Sequence, residues 1–239
     1  SDSTGDGSEA NPFATIQHGI DTAIDGDTVL VAPGLYQEDN LGISVGGADS
    51  FGMWQGSIML CSEIVYYPDS TSIIQNTIIV ANHFYFGYGD NAIYGFTIKG
   101  DNTPLELSYY YSNPTFINCL FNNVVLVDVS MCIEEPCQVF QNCTLLNTYN
   151  NYGIPTGVNN SILISSFTSV EFDDVNSNNN MSFTYNDLGY IENGNIYGLN
   201  PLFCDPDNGD YSLAENSPCV GTGENGVNMG AFGIGCGPI

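Results

Sequence analysis

The sequence predicts an all-β chain wound as a single-stranded parallel solenoid, one domain over residues 1–239, with a single α-helix capping its N-terminal end. Three observations predict it. Short apolar runs are separated throughout by Gly, Asn, Asp and Pro. The later runs align on one column, Gly95, Asn118, Asn142 and Asn160, at spacings of 23, 24 and 18 residues. That is longer than a hairpin arm and close to one solenoid coil. The only segment of helical period stands at the very front.

In order, "NPFATIQHGIDTAIDG" predicts a helix over 12–25. Asn11 is its N-cap and Pro12 its first residue. Phe13, Ile16, Ile20, Ala23 and Ile24 form one apolar stripe, and Asp25-Gly26 ends the helix. "TVLVA" (28–32) is a β-branched strand, and "PGLY" reads as a turn. Then come "GSIMLC" (56–61), "NTIIVA" (76–81), "YGFTIKG" (94–100), "FINCLFNN" (116–123), "FQNCTLLN" (140–147) and "VNNSILIS" (158–165). After "MSFTYND" (181–187) the pattern blurs, and about 200–239 reads as an irregular C-terminal tail or cap. At 20 to 25 residues per coil the body is expected to hold roughly eight to ten coils and measure about 40 to 48 Å. Asn118, Asn142 and Asn160, stacked about 4.8 Å apart, are expected to hydrogen-bond side chain to side chain. The helix is then a lid, hiding the apolar end and unpaired edges of the first coil.

Composition narrows the function. Hydrophobic residues are 43% and aromatics 12% of 239 residues, a globular balance. One Lys or Arg side chain, Lys99, stands against 27 acidic ones, for a net charge of −26. Nucleic acid is excluded as a partner, because phosphates need cations to meet them. Anionic membrane surfaces are excluded on the same ground, and no run is long enough for membrane insertion. The eight cysteines lack a CxxC pair, so disulfides in an oxidising compartment fit better than zinc. Sequons at Asn142, Asn159 and Asn180 suit an exported chain. The chain opens at Ser1 without Met or an apolar leader, and the expectation is a processed, secreted protein at the cell surface or beyond.

"DSTGDGSEANPFATIQHGIDTAIDGDTVLVAPGLYQE" resembles the N-terminal signature of secreted right-handed parallel β-helix proteins of the pectate-lyase-like superfamily. "NPLFCDPDNGDYSLAENSPCVGTGENGVNMGAFG" (200–233) is similar to the C-terminal end of many bacterial extracellular repeat proteins of that kind. The resemblance implies a right-handed coil. It implies little about activity, since such folds carry polysaccharide lyases, hydrolases and inert surface proteins.

Candidate sites follow. If the chain is a lyase, Lys99 is the base, and calcium would have to bridge the acidic protein to a uronate polymer. Glycoside hydrolysis needs clustered carboxylates. Asp173 with Asp174, and Glu134 with Glu135, are adjacent pairs, but strand neighbours face opposite ways. Calcium could use Asp205, Asp207 and Asp210 around Asn208-Gly209, or Asp2 and Asp6, although both strings also make tight turns. Cys132 and Cys137 could close a small loop. Cys119 and Cys143 follow the column Asn one coil apart, within disulfide reach or as buried thiols. Cys61, Cys204, Cys219 and Cys236 leave their pairing open. Tyrosines at 66–67, 85–88 and 109–111 could stack on sugar rings, pack loops or join copies. Thr77, Thr97, Thr144 and Thr184 are too isolated for the flat array that ice binding calls for. The expected function is a non-catalytic extracellular solenoid, a self-associating surface or matrix protein able to form filaments. A calcium-assisted polysaccharide lyase or hydrolase is the alternative, and a carbohydrate-binding module the second.

Overall fold

The Asn column is a corner. In the computed structural model Asn118, Asn142 and Asn160 adopt φ of 51°, 51° and 49°, and Gly95 in the same column 83°. Asn and Gly tolerate this left-handed conformation best, and each time it swings the chain from one parallel sheet to the next. Gly95 stands where the others have Asn because a Cβ there would lie 2.1 Å from Ile64 Cγ2. The expected side-chain ladder is not what the column makes. Asn118 Nδ2 donates to Tyr94 Oη at 3.0 Å, Asn160 Oδ1 accepts from Glu224 N at 2.8 Å, and Asn142 Oδ1 is buried without a partner. Backbone conformation, more than stacked amides, explains the repeat.

The structure describes residues 5–43, 56–68, 70, 72–109, 112–127, 138–150, 156–164, 177–178, 181–182 and 194–239. After helix α1 (Ile16–Thr22) the first coil is β1 (Thr28–Val31) and β2 (Gly34–Ile43). The second is β3 (Met59–Ser62), helix α2 (Ser72–Asn76) and β4 (Thr77–Phe86). The third splits into β5 (Ala92–Tyr94), β6 (Thr97–Lys99) and β7 (Leu105–Tyr109). Then follow β8 (Thr115–Ile117) with β9 (Leu120–Leu126), β10 (Gln138–Gln141) with β11 (Thr144–Asn150), and β12 (Thr156–Asn159) with β13 (Ile162–Ile164). Short pieces close the series: β14 (Ser177–Asn178), β15 (Met181–Ser182) and β16 (Ile196–Tyr197).

Each of these strands pairs in parallel with its counterpart one coil away. One sheet of seven strands runs β1-β3-β5-β8-β10-β12-β14, and a second of nine contains β2, β4, β6, β7, β9, β11, β13, β15 and β16. Chain order alternates between the two, which is the topology of a coil. The second sheet bends at Asn123 (φ 59°) and Asn147 (φ 48°). On one side of the bend β6 lies between the first halves of β4 and β9; on the other, β7 lies between their second halves. The coil therefore has three faces. Among the described residues the first face holds seven strands and the second sheet eight in series, the lower end of the expected eight to ten coils. The first two coils are long, carrying Thr28 to Met59 and Met59 to Ala92, and the last segment does not coil at all.

Ranks of inward side chains build the core. Leu60, Ile93, Phe116, Phe140 and Val158 are register partners along the first face, and all are buried. The Phe116 and Phe140 rings stack at 5.1 Å with planes 14° apart. Ile79, Ile98, Phe121, Leu145 and Leu163 form the facing rank. Aromatic pairs of this kind add about 0.5–1.5 kcal/mol each beyond their buried area.

The helix is a lid, as its position in the sequence suggests, but it is shorter than 12–25. Asn11 is not its cap: its N–H bonds Ser8 O and its carbonyl accepts from Asp6 N, which holds the chain in a bridge. Thr15 caps instead, accepting from His18 N at 3.3 Å, and Glu38 Oε1 accepts from Ile16 N at 2.9 Å. Ile16 and Ile20 are buried against Val31, Leu41 and Ile43 of the first coil. "PGLY", read as a turn, opens β2 because pairing with β4 outweighs the local signal.

The C-terminal segment is ordered. Strands β17 (Phe203–Asp205), β18 (Asp210–Ala214) and β19 (Ile234–Cys236) form their own small sheet. Its residues Phe203, Leu213, Met229 and Phe232 pack on Leu120, Leu146 and Ile162, the outward side of the second sheet. Gly230 (φ 90°) comes so close that a Cβ would sit 2.6 Å from Ile162 Cδ1. A disulfide joins Cys204 and Cys236, with Cα atoms 5.9 Å apart. Among the described residues no helix is long and apolar enough to cross a membrane.

Candidate functional site

In β6, Ile98 points into the core, which turns Thr97 and Lys99 outward. Lys99 then stands in an outward rank of register partners: Val80, Lys99, Asn122, Leu146 and Ile164. The C-terminal sheet runs beside this rank and leaves a groove. Its first part, about 440 Å³, holds Lys99, Asn76, Asn122, Asp210 and Tyr211 among its lining residues. Its second, about 330 Å³, is lined by Leu146, Ile164, Pro201, Phe203 and Pro206. Asn122 and Tyr211 border both, so the two parts are continuous. The groove grades from a cation through amides to an apolar end.

Its walls are fixed. Gln75 Nε2 donates to Asp210 Oδ1 at 3.1 Å, tying α2 to β18. Ser212 N and Oγ donate to the same oxygen at 3.0 and 2.5 Å. Burial opposes ionisation of Asp210, but these three bonds outweigh it and hold the carboxyl below its ordinary value. The Tyr211 ring meets Phe203 edge-on at 5.4 Å. Burial, with Asp207 nearby, pushes its phenol up. Among the described residues the Lys99 ammonium has no hydrogen-bond or ion-pair partner.

Two candidates from different parts of the chain, Lys99 and Asp210, thus meet in one groove. The loop of Asp205, Asp207 and Asp210 is a turn: Asn208 Nδ2 donates to Asp205 Oδ2 at 2.8 Å, and Gly209 is left-handed at φ 83°. Asp6 likewise accepts from Ser8 N at 2.9 Å. Among the described residues no three His, Cys, Asp or Glu side chains converge to hold a metal ion. Asp2, Glu134, Glu135, Asp173, Asp174, Cys132, Cys137 and Asn180 lie outside the described residues.

Cys119 and Cys143 do stack one coil apart, but as thiols and not as a bridge. Each is fully buried, and the sulfurs donate to the carbonyls of Ile117 at 3.3 Å and Gln141 at 3.4 Å. Burial and the contact with Cys119 push the Cys143 thiol well up. Cys61 and Cys219 are also buried thiols. Of the sequons, Asn142 has its Oδ1 enclosed and the hydroxyl of its partner Thr144 accepts from Ala231 N, while Asn159 is half-buried at the end of β12.

Sequence reading missed one pair. On the third face His83 Nε2 lies 2.5 Å from Ser108 Oγ, diagonally across from it, since its register partner is Glu106. None of the clefts described above reaches the pair, and it reads as a cross-strand contact. The groove's apolar wall was missed too, because it comes from residues about a hundred positions after Lys99 and leaves no local signature. Compared with known proteins, the chain matches no protein-family model, and no curated protein matches it in sequence.

Proposed function

We propose that this chain is a non-catalytic extracellular scaffold, a right-handed parallel β-helix of the pectate-lyase-like kind, whose copies associate side by side into a surface layer or matrix. One observation carries the reading: among the described residues, the outward strand positions of the first face carry no charged side chain. Its ranks are Thr28, Met59, Ala92, Thr115 and Val139, and Leu30, the buried Cys61, Tyr94, Ile117 and Gln141. Two copies at −26 each repel strongly, and they can touch only where carboxylates are missing. End-to-end strand addition at the N-terminal end is blocked by α1, which favours lateral contact. The Cys204–Cys236 disulfide supports an exterior location.

Sedimentation velocity over a range of protein and salt concentrations tests this. The expected result is association that strengthens as salt screens the repulsion, and that disappears in a Thr115→Glu/Val139→Glu variant of unchanged circular dichroism. A monomer under every condition overturns the proposal.

A further inference from the structure

The groove beside the C-terminal sheet has a chemistry that scaffolding does not use. It contains the one Lys or Arg side chain of the whole protein, unpaired among the described residues although the chain carries 27 carboxylates. An ammonium left without a partner in a partly enclosed cleft is a ready site for an anion. Asp210, the carboxylate lining the same cleft, is already engaged by Ser212 and Gln75.

The rest of the groove says what kind of anion. From Lys99 the floor passes to Asn122, then Leu146, then Ile164, three strand spacings or about 14 Å. Leu146 is buried and Ile164 half-buried, and Pro201, Phe203 and Pro206 face them. Apolar surface of this sort favours an apolar occupant at about 25 cal/mol per Å² covered. A polyanion is disfavoured. Its first carboxylate would meet Lys99, but every further one would meet no cation, in the field of a protein at −26. A single carboxylate with an apolar tail satisfies both ends of the groove.

We infer that the groove binds an amphiphilic monocarboxylate, such as a medium-chain fatty acid, with its carboxylate on Lys99 and its tail along Leu146 and Ile164 beneath Pro201 and Phe203. The inference does not depend on lateral assembly.

Ligand-observed NMR and calorimetry with decanoate on the full chain test it. Controls are decanoyl-N-methylglucamide, which has the same tail and a neutral head, and trigalacturonate, which has three carboxylates and no tail. Decanoate is expected to bind saturably and more tightly than the neutral amphiphile. Lys99→Met should weaken decanoate about tenfold while leaving the neutral amphiphile unchanged. Ile164→Asn should weaken both, and circular dichroism confirms that each variant is folded. Three outcomes overturn the inference: no saturable decanoate binding, equal decanoate binding by Lys99→Met, or trigalacturonate binding more tightly than decanoate. The last would hand the groove to an acidic oligosaccharide.

Discussion

Gln17 and Gly42 pair as neighbouring strands do: the Gln17 side-chain amide donates to the Gly42 carbonyl at 3.1 Å and accepts from the Gly42 N–H at 2.8 Å. The first coil has no coil beneath it, so β2 presents an open edge there. A side chain from the lid fills one rung of that edge. Gln17→Ala leaves both backbone groups of Gly42 unmatched and is expected to cost about 1–2 kcal/mol in urea denaturation. It should also lower the temperature at which the protein aggregates, since the edge is reopened. A variant as stable and soluble as the parent would show that α1 covers the end without policing it.

The corner asparagines divide into two kinds. Asn118 bonds Tyr94 and sits left-handed, so Asn118→Ala loses a hydrogen bond and meets the steric cost of that conformation, together about 2–3 kcal/mol. Asn142 shares the conformation, but its Oδ1 is buried and unmatched. Asn142→Gly removes the orphaned oxygen and is expected to stabilise by about 1 kcal/mol, net of the extra chain entropy of glycine. Chemical denaturation of the two variants should move in opposite directions.

That contrast explains what was readable from the sequence. Asn and Gly recurring about once per coil mark positive φ, a local property of one residue, so the column and the parallel coil could be read directly. The start of α1 could not, because Asn11 is claimed by a bridge to Ser8 and Asp6 that a capping rule does not see. β2 was hidden because "PGLY" carries turn residues, whereas its strand state comes from pairing with β4 across a whole coil. Nothing beside Lys99 in the sequence announces a groove. Its groove is made by Phe203, Asp210 and Tyr211, whose approach is settled by packing on Leu120 and Leu146 and by no nearby residue.

The Cys204–Cys236 disulfide closes a loop over 32 residues, which constrains the unfolded chain by about 3–4 kcal/mol. The sheet it clasps shares no strand pairing with the coil. In a Cys204→Ser/Cys236→Ser variant, hydrogen exchange should accelerate in β17–β19 while the amides of β8 and β10 stay protected. Uniform acceleration through the coil would mean that the C-terminal sheet and the coil unfold as one unit.

Alkali should act through the buried thiols. Burial pushes Cys219 from 9.0 to about 12, and Cys61 and Cys143 are raised for the same reason. In the unfolded chain these thiols ionise near their ordinary value, so the unfolded state loses protons first as pH rises. For Cys219 the contribution is therefore complete below about 9 and falls through the window up to about 12, by about 1.4 kcal/mol per pH unit. Cys219→Ala deletes one of these contributions, and its urea midpoint should fall less steeply with pH across that window. Parallel curves for the parent and the variant would place the alkaline weakness elsewhere, with Tyr109, whose buried phenol is also raised, as the next group to remove.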